Sequence, residues 1–258
     1  MSATLAPATE TTSRVLYAFV QCGTEVPEDL AGIDGAQLEL IEHGDIAAVA
    51  SSAPEGKLRP QRRKLKAYQQ VIEAFQGRTP MLPVAFGVVS ESRDSVASML
   101  EANYEELHGK IEQIGRGVEM SLSLASALEN PMEFLLTRNE DLRAERDALL
   151  AAGGGTHEQQ VQIGTRLEEA LGALREECTA TVEEFLGSVA KDFTPLDHRS
   201  PKELSRHAIL VEYSEVERFE ASLGKLAERF DDNYAINYDG PWPPYSFTKL
   251  QLTEPGAE

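Results

Sequence analysis

Tyr234-Ala-Ile-Asn-Tyr-Asp-Gly-Pro-Trp-Pro-Pro-Tyr-Ser-Phe247 is the stretch on which the reading of this chain turns. Tyr234–Tyr238 has the aromatic and apolar content of a short strand, and Asp239-Gly240 is the signal that ends it. Pro241, Pro243 and Pro244 lack an N–H and fix φ, so they fit neither a helix nor a central strand. Trp242, Tyr245 and Phe247 interleave with them, and a stiff extended ribbon carrying large apolar side chains is the expectation. Such aromatics either serve a partner or fold back to join the chain's own two domains, because left free in solution they invite aggregation.

Upstream, strands and helices alternate. Arg14–Val20 is a nearly continuous apolar run and reads as a buried strand. Gln37–Ile41 and Ile46–Ala50, separated by His43-Gly44-Asp45, read as a hairpin. A helix is expected from Pro60 to Phe75 with Leu65, Tyr68, Val71, Ile72 and Phe75 on one face. Pro80–Val89 follows, apolar and interrupted by Pro83. Ser90 or Ser92 caps a helix whose apolar positions run from Val96 to Ile114. Val118–Leu124 alternates with period two, as a half-buried strand does.

Asn130-Pro-Met-Glu133 has the N-cap, N1 and N3 residues of a helix start, and that helix is expected to continue to Ala152. After Gly153-Gly-Gly155 a second helix places Leu167, Leu171, Leu174, Cys178, Val182, Phe185 and Val189 at near-heptad spacing, which predicts a helical hairpin. Phe193–Leu196 reads as extended, Ser200–Glu203 as a capped helical turn, His207–Tyr213 as a strand and Val216–Phe230 as a helix. The fold class is α+β, with split βαβ, ferredoxin-like features. Four segments are expected: a disordered N-terminus 1–13, an α+β domain 14–127, a second domain 128–240 holding the hairpin, and a tail 241–258.

Composition narrows the function classes. At 258 residues with 26% charged and 41% hydrophobic content, the chain has the make-up of a soluble globular protein of one or two domains. The net charge of −19 disfavours a nucleic-acid partner. No run reaches the roughly 18–20 apolar residues of a membrane span. The N-terminus lacks a signal-peptide pattern, and two distant cysteines suit a reducing compartment, so a cytoplasmic location is expected. Acids dominate Glu133–Glu184, twelve against five arginines. One stretch reverses that sign: Lys57, Arg59, Arg62, Arg63, Lys64 and Lys66 stand without an acid among them. They form either a solvated helix start or a patch for an acidic partner surface.

Chemistry-bearing constellations are scarce. His43, His108, His157, His198 and His207 have no metal-ligand spacing, and Gly153–Gly155 lacks the Lys-Ser/Thr of a phosphate loop. Adjacent glutamates on the second long helix point apart, as a wet face does. Asp197, His198 and His207 are the one candidate polar site. The residues ask for no cofactor and no metal.

Three stretches together resemble the gas vesicle GvpL/GvpF family. Tyr234–Phe247 is similar to its C-terminal signature, Thr79-Pro-Met-Leu-Pro-Val-Ala-Phe-Gly87 to its central motif, and Arg14–Val20 to its opening strand. The likeness spans residues 14–250. Tyr68 occupies a place often held by His in that family, and Ala85 one often held by a basic residue. The resemblance implies two α+β domains with a C-terminal tail, no enzymatic activity, and a cytoplasmic, vesicle-associated accessory role. It implies binding of the hydrophobic main shell protein, helping to nucleate the vesicle wall, alongside other accessory proteins. The rival from the residues alone is a small-molecule enzyme or binding protein on a ferredoxin-like sheet.

Overall fold

The computed structural model describes residues 12–128, 130–250 and 252. Most of the expected disordered segment 1–13, and the end of the expected tail, lie outside these residues. The chain divides into two compact units, Met1–Val118 with Trp242–Glu258, and Glu119–Pro241.

In the first unit, β1 (Arg14–Gln21) pairs antiparallel with β3 (Ile46–Ser52), and β3 with β2 (Leu38–His43). On its other side β1 meets β4 (Met81–Pro83) and β5 (Val89–Ser90), giving the order β2-β3-β1-β4. The unbroken apolar run of β1 is explained by its central position, since Val15 to Val20 are all buried. One face is covered by α1 (Arg62–Phe75), through Tyr68, Val71, Ile72 and Phe75. α2 (Arg93–Ala102) and α3 (Tyr104–Ile114) also pack on the sheet. One helix was expected over α2 and α3. Asn103 takes non-helical backbone angles (φ −119°, ψ 19°) and breaks it, its side-chain amide donating to the Met99 carbonyl at 2.7 Å.

The register of β1 slips at Tyr17: Leu16 faces Ala50 and Ala18 faces Val49, which leaves Tyr17 as a bulge. The buried Tyr17 hydroxyl accepts the Ile33 N–H at 2.8 Å and lies 2.8 Å from the Ser51 hydroxyl. It thereby satisfies a buried backbone donor that would otherwise cost about 1–3 kcal/mol. Gly32 permits this approach, since a Cβ there would lie 2.5 Å from the Tyr17 oxygen.

The second unit holds a sheet of order β7-β8-β6-β9, with β6 (Gly117–Ser126), β7 (Asp192–Pro195), β8 (Glu203–Glu212) and β9 (Tyr234–Trp242). The period-two pattern of β6 buries Met120, Leu122 and Leu124 against residues of α6 (His157–Leu186) and α7 (Val216–Ala227). The helix expected from Pro131 to Ala152 is two: α4 (Pro131–Arg138) and α5 (Glu140–Ala151). Asn139 adopts an extended backbone between them and caps α5 by accepting the Leu142 N–H at 3.1 Å. Gly153, Gly154 and Gly155 then turn the chain, and a Thr156–Gln159 capping box opens the 30-residue α6.

The near-heptad stripe does not serve a hairpin along its whole length. Leu174, Cys178, Val182 and Val189 enter the core of the sheet, with Leu167, Leu171 and Phe185 packed against it, while α6 also meets α5, where Arg166 pairs with Glu145. Ser200–Glu203 is a turn leading into β8 rather than a helical turn, with the Glu203 N–H donating to the Ser200 carbonyl.

β9 is an edge strand, and it does not stop at Asp239-Gly240. It runs through Pro241 to Trp242 with a cis Gly240–Pro241 bond. An edge tolerates proline because no N–H is needed on the open side. Gly240 is required here: its φ is +134°, and a Cβ would lie 2.9 Å from the Glu119 carbonyl oxygen.

Candidate functional site

The tail aromatics divide into buried and exposed. Pro243 and Pro244 are buried, and each offers a carbonyl and no donor. The Tyr245 N–H takes the Pro243 carbonyl at 2.8 Å, and the Phe247 N–H takes that of Pro244 at 3.1 Å. The stretch therefore closes into a 3₁₀ turn over Tyr245–Phe247, where an extended ribbon was expected. Phe247 points inward, 5% exposed, whereas Trp242 and Tyr245 keep 43% and 42% of their surface in solvent.

Below the turn lies an aromatic seam on α1. The Tyr68 ring stacks on Tyr17 at 5.5 Å between centroids and takes Phe86 edge-on at 5.5 Å. Its hydroxyl is sealed from solvent, with the Tyr245 hydroxyl as its polar neighbour. Burial first, and Tyr245 second, push the Tyr68 phenol far above its ordinary pKa. Tyr245 is raised as well, by burial. The helical pattern by itself does not distinguish Tyr68 from Ile72; the family resemblance marks it, as a place often held by His.

The basic stretch enters α1. Arg63 and Lys64 reach Asp34 at 2.6 and 3.3 Å, and although burial opposes it, these two cations hold the Asp34 carboxyl below its usual range. Arg59, Arg62 and Lys66 are exposed. Leu65, expected on the buried face, is 41% exposed. It lies at the edge of the apolar stripe, one turn before Tyr68.

In the second unit, His207 of the candidate polar site belongs to a chain of side chains that runs from the buried face of β8 to the half-exposed Glu183. His207 on β8 is 1% exposed. Its Nδ1 lies 3.2 Å from the Ser205 hydroxyl, which accepts from Thr179 of α6 at 3.1 Å. Its Nε2 lies 3.2 Å from Glu183 of α6. Ser205, His207 and Glu183 carry the groups of a hydrolytic triad, but the Ser205 hydroxyl is buried and already engaged by Thr179, closed to any substrate. Asp197 accepts Arg206 on its backbone carbonyl at 2.9 Å. Ser205 lies two residues away on the same strand, but Glu183 and Thr179 come from α6, 24 and 26 residues from His207 and Ser205 respectively, a juxtaposition invisible to spacing.

His207 has a consequence for stability. Burial lowers its pKa, against the attraction of Glu183 and with a small push from His198, itself lowered by burial and Arg175. Its contribution is complete above the unfolded value of about 6.5 and is lost as pH falls through the folded value. Thermal unfolding at pH 7.5, 6.5, 5.5 and 5.0 should show a decline that is shallower in His207→Gln; equal slopes would refute this.

Two open clefts of about 570 Å³ each flank α1 in the first unit, one with Cys22, Thr24, Arg78 and Thr79, the other with Ala67, Gln70 and Arg78. Neither includes Asp197, His198 or His207. Burial pushes the Cys178 thiol up to about 11, as suits a packing residue. Among the described residues no three His, Cys, Asp or Glu side chains gather as a metal site, and no helix is long and apolar enough to cross a membrane.

Comparison with known proteins places this architecture. Residues 13–249 match the family described as gas vesicle synthesis protein GvpL/GvpF. Gas vesicle protein F of Streptomyces sp. (strain CB03234) is 31% identical over 226 residues, covering 87% of this chain and 94% of that protein. Gas vesicle protein L1 of Halobacterium salinarum is 25% identical over 259 residues, covering 93% and 91%. The crystal structure of GvpF from Anabaena sp. PCC7120 superposes with a TM-score of 0.80 at 20% identity, covering 93% of this chain and all of that one. The chain belongs to the GvpL/GvpF family of gas vesicle synthesis proteins.

Proposed function

We propose that this protein is a non-enzymatic accessory or minor structural component of gas vesicle assembly that binds the hydrophobic main shell protein and helps nucleate the vesicle wall. The observation that carries this reading is the pair of half-exposed aromatics, Trp242 and Tyr245, anchored by buried Pro243, Pro244 and Phe247. Aromatics held on a prolyl turn lose little freedom on binding, which is what a docking point for an apolar partner needs. The strong negative charge elsewhere keeps such a protein dispersed while it handles an aggregation-prone subunit. Its place of action on this reading is the cytoplasm and the growing vesicle, together with other accessory proteins.

We also read the strand order 2-3-1-4, repeated in each sheet, as a ferredoxin-like plan, in the first unit with a loop where the first crossover helix would stand. A split-reporter assay between this protein and the main shell protein in vesicle-forming cells is expected to be positive, and deletion of the gene to reduce vesicle number. No contact together with normal vesicle numbers would overturn the proposal.

A further inference from the structure

In a chain with 43 acids and 24 lysines and arginines, cations are expected to find carboxylates. Around the start of α1 they do not. Lys57, Arg59, Arg62 and Lys66 are exposed and have no carboxylate partner among the described residues; only Arg63 and Lys64 are neutralised, by Asp34. The first turn of α1 holds no acid, and Gln61 supplies no side-chain cap. Cations there oppose the helix dipole, so the arrangement works against stability. Leu65 adds apolar surface among these charges, one turn after Arg62 on the same side of the helix.

We propose that the segment Lys57–Lys66 is a docking surface for an acidic amphipathic segment of a partner protein. Carboxylates on such a segment would meet Arg59, Arg62 and Lys66, and its apolar side would cover Leu65. Long polyanions fit less well, because they extend past the basic segment into the field of a chain with net charge −19, whereas a short segment stays within about a Debye length of it. The inference stands apart from the tail reading, since it uses none of the tail residues.

The test is fluorescence anisotropy of the full chain with a labelled 14-residue leucine–glutamate peptide designed as an amphipathic helix. Binding at 50 mM salt is expected to weaken about ten-fold at 300 mM salt. A similar loss, about ten-fold, is expected in Arg59→Glu/Arg62→Glu/Lys66→Glu, and an intermediate loss in the corresponding glutamine variant. Circular dichroism should show both variants folded, as exposed positions allow. Leu65→Ser should weaken binding without altering the salt dependence. Trp242→Ala should leave peptide binding unchanged, so that failure here and failure of the shell-protein reading are told apart. The proposal is overturned if no peptide binding is seen, if a leucine–glutamine peptide binds equally, or if the charge-reversed variant binds as the parent does. It is also overturned if single-stranded RNA or phosphatidylglycerol vesicles bind more tightly, or if a salt-sensitive dimer in sedimentation occupies the surface instead.

Discussion

Phe247→Ala is expected to destabilise the protein by about 3–5 kcal/mol, the cost of removing a buried large aromatic and leaving a cavity. Phe247 is 5% exposed at the end of a turn whose two prolines are also buried. With about 2–4 °C of melting temperature per kcal/mol for a chain of this size, the transition should fall by roughly 6–20 °C. Thermal denaturation followed by circular dichroism measures this directly. A change below about 2 °C would mean that the tail contributes little to the core, contrary to its burial.

Trp242→Ala should behave in the opposite way. The indole keeps 43% of its surface in solvent, so much of its transfer free energy is never gained on folding. Stability should move by no more than about 1 kcal/mol. Binding to the main shell protein should weaken by about 2 kcal/mol, roughly thirty-fold, as for an aromatic anchor at an interface. Titration of the purified protein against shell-protein fragments, with vesicle counts in cells carrying the variant, gives the readout. Unchanged binding and vesicle number would remove Trp242 from the proposed contact, and a large loss of stability would assign it to the fold instead. Comparing the two variants separates the structural end of the tail from its partner-facing end.

The elements most legible in the sequence are those whose pattern is local. β1 is recognisable because a central strand buries both faces, and β6 because a half-buried one alternates. The start of α6 follows from Gly153–Gly155, whose left-handed backbone ends the helix before it. The breaks at Asn103 and Asn139 were not legible, because an asparagine in an apolar helical pattern looks like a solvent-facing residue until its side chain is seen bonding the backbone. The heptad stripe of α6 predicted the helical hairpin with α5 but not the sheet it also covers. Period shows which face is apolar, but not whether a helix or a sheet receives it.

The candidate site was only partly visible. Trp242, Tyr245 and Phe247 were singled out by composition, yet their division into exposed and buried depends on a turn closed by two proline carbonyls. The sequence by itself determined the family, the α+β class and the reversal of charge between Lys57 and Lys66, because each is written in contiguous residues. Only the tertiary structure decided which aromatics are free and which cations are unpaired. It also brought the buried Ser205 and His207 of β8 against the half-exposed Glu183 of α6. Exposure and pairing depend on neighbours distant in the chain, and no local pattern carries that information.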